Sequence, residues 1–272
     1  MDPKEKRTRG RPRQHDSPSS GNSVQTVDRA ANILKLVSKA DGQSLTEIAE
    51  AATLPASTTY RLLTTLQSHR MVEFDEQRQL WYVGLETFRM GSAYLRRRKL
   101  AEHGRAVMRT LQIETGETAN LAVNDDEGVV FVTQVETHQP IRAFFRPGTR
   151  GDYHSSGIGK AIMAYFDDKK VDIIAARDLP KYTDFTLTDL AALKSDLEAT
   201  RARGWSIDNE ERHLGMRCVA VPIFNEYSEP IGGISVSGPS VRITPEQDSL
   251  FGPMVRDAAQ EITDLSGGRW PE

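Results

Sequence analysis

Apolar residues recur at intervals of three and four through residues 44–70, SLTEIAEAATLPASTTYRLLTTLQSHR, with one break between them. Leu45, Ile48, Ala49 and Ala52 form the inner face of a first short helix. Ser44 and Glu47 have the spacing of a capping box and mark its start. Thr53-Leu54-Pro55 ends it, since proline is excluded from a helix interior. A second helix begins near Ser57, with Thr59, Leu62, Leu63 and Leu66 on one side. Its other side carries Ser57, Tyr60, Arg61 and Thr64. Upstream, residues 24–40 repeat Val27, Ala30, Ile33, Leu34 and Val37 as a helical stripe closed by Asp41-Gly42. Downstream, Met71-Val72-Glu73-Phe74 and Leu80-Trp81-Tyr82-Val83 flank a polar tip of hairpin length. This order predicts a winged helix-turn-helix over residues 24–84.

Residues 85–99 continue as a linker helix in which Leu85, Phe88, Ser92 and Leu95 share a side with nothing local to cover it, which suggests a contact between copies. The charge run at 96–99 follows. After a helix at 100–115, alternation takes over. Residues 118–124 and 129–136 predict a hairpin around Asp125-Asp126-Glu127-Gly128, and 141–145 a third strand. Helices are expected at 157–166, 169–176 and 189–203, the last with Leu190, Leu193 and Leu197 inward and Gly204 as its cap. Strands return at 205–209, 218–224 and 231–237. A terminal helix at 245–265 carries Leu250, Met254, Ala258, Ile262 and Leu265 on one side. The mixed order predicts an α+β domain with an antiparallel sheet over residues 100–267.

Composition narrows the function classes. The 272 residues suit two domains, and no apolar run is long enough to span a bilayer, so no membrane partner is expected. The charged start is not a secretory signal, and the single cysteine, Cys218, excludes an internal disulfide. Both fit a cytoplasmic protein. With a net charge of −3, attraction to nucleic acid must come from local patches. One such patch is the face of Ser57, Thr58, Tyr60, Arg61 and Thr64, which offers hydroxyls, a phenol and a guanidinium without an acid. Such groups suit phosphates and base edges in a major groove. The hairpin tip adds Gln77 and Arg78. Residues 1–23, rich in Pro, Gly, Ser and basic side chains, read as a disordered tail. Within them, Arg9, Arg11 and Arg13 around Gly10 and Pro12 have the make-up of an AT-hook for a narrow minor groove, the alternative being a solvated basic tail.

In the second domain, Ser155-Ser156-Gly157-Ile158-Gly159-Lys160 opens a helix whose free N–H groups favour an anion. Asp208 ends a strand, Cys218 starts another, and Ser235 and Ser237 alternate onto one face of a third. A small carboxylate would satisfy that serine pair. The competing reading is that the glycines only allow close packing and the serines bond to backbone. Cys218 with His213 and Asp208 could form a nucleophile, base and orienter, but the cysteine opens an apolar strand rather than a helix that would lower its pKa. No histidine has metal-ligand spacing, and no phosphate or dinucleotide fingerprint occurs, so neither metal nor cofactor is expected.

The runs VQTVDRAANILKLV, SLTEIAEAATLPASTTYRLLTTL and MVEF…WYVG resemble the DNA-binding half of the IclR family of bacterial transcription regulators. HSSGIGKAIMAYF, TLTDLAALKSDLEATRARGWSIDNEE…GMRCVAVPIF and PIGGISVSGP resemble its effector-binding half, in the family's order. The likeness covers nearly everything after Val24. It implies a winged helix, a linker helix and a sensor domain related to GAF/profilin-like folds, in a DNA-binding regulator rather than an enzyme. It also implies homodimers, or dimers of dimers, on partly palindromic operators with half-sites about 34 Å or a multiple apart. Glyoxylate-sensing members place the ligand against positions that here look like Gly157, Ile158, Asp208, Cys218, Ser235 and Ser237, with Met216 as an apolar wall. Ile158 stands where a smaller residue is common, which implies a tight, polar cavity suited to glyoxylate or another small 2-oxo acid.

Overall fold

The computed structural model describes residues 24–98 and 100–271, and the chain divides into two compact units, the second beginning at Leu95. The arginine-rich tail at 9–13 lies outside the described residues.

The first unit packs α1 (Gln25–Val37), α2 (Leu45–Ala52) and α3 (Ala56–Ser68) around Ile33, Val37, Ile48, Leu63 and Leu66. The capping box is formed: Glu47 N–H donates to Ser44 Oγ at 3.3 Å, and Ser44 N–H to Glu47 Oε2 at 2.8 Å. These bonds satisfy two N–H groups that a helix start leaves open, and they hold the Glu47 carboxyl below its usual range. Thr53 turns left-handed at φ 53°, Pro55 caps α3, and its carbonyl accepts from Thr59 Oγ1 at 3.2 Å.

β1 (Val72–Asp75) and β2 (Leu80–Val83) pair antiparallel, Phe74 opposite Trp81. Asp75 Oδ1 accepts from the N–H groups of Gln77 and Arg78 and shapes the tip. Trp81 is buried in the helical core and also bridges to Gln43, tying the wing to the turn before α2. The α1 stripe is shorter than expected: Val27 is exposed, and burial begins with Ile33. α4 (Leu85–Arg98) leaves Leu85, Phe88 and Met90 exposed.

The first helix wholly within the second unit is α5 (Leu100–Thr115). The unit's six-stranded sheet runs β5-β4-β3-β8-β7-β6, with every neighbouring pair antiparallel. The strands are β3 (Thr118–Asp125), β4 (Gly128–Val135), β5 (Arg150–Gly151), β6 (Ser206–Asn209), β7 (Met216–Phe224) and β8 (Pro230–Pro239). α5 and α9 (Asp248–Leu265) cover one face over Leu121, Val219, Val221, Ile234 and Val236. On the other face α6 (Gly157–Met163), α7 (Asp168–Ala175) and α8 (Leu190–Arg203) pack against Ala122, Cys218 and Ala220. Period-two alternation along β7 and β8 sends apolar residues one way and Cys218, Ser235 and Ser237 the other.

Three expectations in the second unit need correction. Residues 141–145 are not a strand. They lie between Pro140 and Pro147, which lack N–H donors, and β4 pairs instead with Arg150–Gly151. Side chains fix the segment: Phe145 stacks on Phe131 at 4.3 Å, and Arg142 bonds to Glu136. On α9, Leu250 and Leu265 are exposed, and the buried stripe runs through Phe251, Val255, Ala258, Ala259 and Ile262. Leu190 opens α8 partly exposed, leaving Leu193 and Leu197 inward, while Gly204 caps the helix at φ 90° as expected.

Candidate functional site

On α3, Ser57, Tyr60 and Arg61 are exposed, and Thr58 and Thr64 are half-buried. Tyr60 keeps 52% of its surface in water, high for an aromatic residue on a helix whose opposite side is core. No acid lies in the helix, so its positive N-terminal end is unopposed from within. Thr64 donates to the Arg61 carbonyl at 3.0 Å, which turns its hydroxyl back along the helix. Arg78 stands at the wing tip, its side chain 72% exposed. Among the described residues, those singled out for nucleic acid thus form a helix face and a hairpin tip open to solvent.

The second candidate is an open cavity of about 480 Å³ on the α6 side of the sheet. Gly157 and Ile158, Asp208, Met216, Cys218, Ser235 and Ser237 all line it. The glycines serve close packing, as the competing reading had it. A Cβ on Gly157 would stand 2.7 Å from Cys218 Sγ, and one on Gly159 2.6 Å from the Tyr153 carbonyl oxygen. This approach sets the start of α6 directly against β7, and Ser206 Oγ anchors it by donating to the Gly157 carbonyl. Neither serine on β8 bonds to backbone: Ser237 Oγ accepts from Asn120 Nδ2 at 3.1 Å, and Ser235 Oγ has only the Cys218 sulfur beside it. Ser155 Oγ, buried in the same cavity, has no partner. Leaving buried hydroxyls unpaired costs about 1–3 kcal/mol each, and a polar ligand would remove that cost.

The cavity is larger than expected. Its volume is ordinary for a ligand pocket of roughly 300–1,000 Å³ and exceeds what two or three carbons fill. Ile158 does not close it, because the walls reach outward through Phe131, Phe144 and Phe145. Arg142, Arg146, Arg150, Arg212 and Arg217 also border it, against Asp152 and Asp208. Sequence reasoning missed this outer part because its residues come from a segment expected to be a plain strand and from the charged turn after β6.

Burial pushes the Asp208 carboxyl up to about 6, against the pull of Lys160, Arg217 and Arg212, while the Glu211 N–H holds its Oδ1 at 2.9 Å. Burial, reinforced by Asp208, pushes the Cys218 thiol up to about 12. It stays protonated at neutral pH, so Cys218 cannot serve as the thiolate nucleophile that His213 and Asp208 would have activated. His213 lies at the cavity edge with its own pKa lowered by burial and by Arg212. His154 faces away into structure, its Nε2 on the Pro180 carbonyl at 3.0 Å. Among the described residues no cluster of ligand-type side chains could hold a metal ion, and no helix is long and apolar enough to cross a membrane.

Residues 26–76 match the IclR helix-turn-helix domain, and residues 92–264 match the bacterial transcriptional regulator IclR C-terminal domain. The HTH-type transcriptional regulator BhcR of Paracoccus denitrificans is 46% identical over 264 residues, covering 94% of each chain. The transcriptional repressor IclR of Escherichia coli is 39% identical over 256 residues, covering 93% of each. Among solved structures, an IclR transcriptional regulator from Alicyclobacillus acidocaldarius superposes with a TM-score of 0.81 at 25% identity, over 90% of this chain and 100% of that one.

Proposed function

The chain belongs to the IclR family of bacterial transcriptional regulators, and from that premise we propose that a small 2-oxo acid, glyoxylate first, controls its grip on operator DNA. α3 reads the operator through Ser57, Thr58, Tyr60, Arg61 and Thr64, with Arg78 at the wing on the backbone. The tail around Arg9, Arg11 and Arg13 adds minor-groove contacts and salt dependence. The regulator works in the cytoplasm as a dimer, or a dimer of dimers. The exposed apolar side of α4, Leu85 and Phe88, supports self-association.

One observation carries the effector reading: the buried Ser155 hydroxyl lacks a partner, and Ser235 has none beyond the Cys218 sulfur, inside one cavity that also holds Asp208, Ser237 and a protonated Cys218. Three hydroxyls and a thiol supply donors for a carboxylate, and Asp208 supplies an acceptor. Glyoxylate is largely a gem-diol in water, so it offers both a carboxylate and a hydroxyl proton for Asp208. The apolar outer walls at Phe131, Phe144 and Phe145 leave room for a bulkier acid. Control of operator binding requires that the acid bind two states of the protein with different affinity.

Calorimetry on the full chain with glyoxylate, pyruvate and an aromatic acid tests this, paired with a gel shift on the chain's own upstream region. Heat with glyoxylate and a shifted operator affinity are expected. No heat with either oxo acid, and a signal from the aromatic acid alone, would overturn the choice of effector.

A further inference from the structure

Ser237 is held by a polar relay that leaves the cavity and crosses the sheet. Asn120 sits on β3, fully buried, one strand behind the cavity wall. It donates from Nδ2 to Ser237 Oγ at 3.1 Å and accepts at Oδ1 from Gln134 Nε2 on β4 at 2.7 Å. These bonds run in one direction. Gln134 supplies the proton for Oδ1, which leaves the NH₂ end of Asn120 facing Ser237. A serine hydroxyl that accepts from an amide keeps its own proton for another partner. That proton points to the cavity side, where the Cys218 sulfur is a weak acceptor that a carboxylate oxygen would outcompete.

Resting on the effector reading above, we infer that Asn120 is a positioning residue: with Gln134 behind it, it presents Ser237 to the cavity as a hydrogen-bond donor and so selects an effector with an acceptor atom, a carboxylate oxygen, at that point. Here the direction of the amide matters. Reversing it would make Ser237 donate to residue 120 and remove one donor from the anion.

Two isosteric substitutions reverse the relay. Asn120→Asp puts an acceptor against Ser237. Gln134→Glu, at a half-buried position on β4, one strand further from Ser237 than Asn120, accepts from Asn120 Nδ2 and turns the amide around. Calorimetry with glyoxylate on the full chain compares both variants with the unaltered protein across pH, with thermal melting as the check on folding. The expected result is a loss of affinity of about tenfold or more at neutral pH in each variant. Gln134→Met, which removes the amide behind Asn120 without adding a charge, should also weaken binding, and loss confined to the two charged variants would assign the effect to repulsion and overturn the inference. In the charged variants the loss shrinks relative to the unaltered protein as pH falls and the new carboxyl protonates, because a protonated acid again has a donor to offer. Equal affinity of Gln134→Glu and the unaltered protein overturns the role of Asn120 while leaving the effector reading intact. Failure of the unaltered protein to bind glyoxylate overturns both.

Discussion

Lys160 Nζ lies 2.6 Å from Glu211 Oε1, and the lysine is entirely buried. The same ammonium is 3.0 Å from Asp196 Oδ2 on α8 and donates to the Ile207 carbonyl on β6 at 2.7 Å. One side chain from α6 thus ties together three elements around the cavity without lining it. Burial alone would lower the lysine's pKa. The carboxylates of Glu211, Asp196 and Asp208 outweigh that and hold it charged. Glu211 also carries the N–H that binds Asp208, so the ion cluster fixes the acceptor at the cavity floor.

Removing the cation leaves buried carboxylates unpaired. Lys160→Met is expected to cost about 3–5 kcal/mol of stability by urea unfolding near neutral pH. Without the pull of Lys160 the Glu211 carboxyl rises further above about 7, so the loss should grow as pH rises above that value and level off below it, where the carboxyl is protonated with or without the lysine. A cost independent of pH would mean that lost packing, not lost charge, dominates.

Asp208 sets a pH dependence for the effector. Its carboxyl titrates near 6 in the folded protein, pushed up first by burial. Above that pH it is anionic and repels a carboxylate; below it the repulsion fades. Affinity for pyruvate should therefore fall as pH rises through about 6, and that for glyoxylate less so because its gem-diol proton goes to the ionised carboxyl, with Glu211, Lys160, Arg212 and Arg217 as the charged groups around it. Asp208→Asn should flatten that slope in calorimetric titrations. An unchanged slope would assign the dependence to another group.

The helix-turn-helix was legible because one apolar face, one capping box and one proline fix it locally, within residues 44–70. The polar residues of the cavity floor were legible for a similar reason: period-two alternation puts Ser235 and Ser237 on one face whatever the rest of the sheet does. Lys160 was not. It closes a helix-opening run that reads only as a source of free N–H groups, and its partners lie 36 to 51 positions away, at Asp196 and Glu211. Only the packing of α6 against β6 and α8 brings them together. Residues 141–145 misled because an apolar run next to a hairpin has a strand's composition, while prolines on both sides decide its conformation.

Gly157 tests how closely α6 must approach β7. Gly157→Ala places a methyl 2.7 Å from Cys218 Sγ, and overpacking of this kind costs about 1–3 kcal/mol. Removing the sulfur should relieve it, since the next contacts, Ala220 Cβ at 3.3 Å and Cys218 Cβ at 3.5 Å, are far milder. Gly157→Ala with Cys218→Ala should then be more stable than the sum of the single effects predicts, a coupling that urea unfolding of all four proteins would measure. Simple additivity would show that the helix moves away freely.

Arg61 and the cavity separate the two halves of the proposed function. Arg61 projects from the acid-free face of α3 beside Tyr60, and neither belongs to the buried side formed by Thr59, Leu63 and Leu66. Arg61→Ala should leave the melting temperature nearly unchanged, because an exposed helical side chain contributes little to folding. Operator affinity should drop, by about 1–3 kcal/mol if the guanidinium reads a base edge, with relaxed preference among operator variants. If it touches only phosphate, affinity falls evenly for all sequences and the salt slope decreases by about one. Ser235→Ala is the converse: operator affinity without effector is retained, and the response to glyoxylate is blunted. Gel shifts of both variants with and without the acid distinguish these outcomes. A regulator in which Arg61→Ala binds its operator normally does not read DNA with this face of α3.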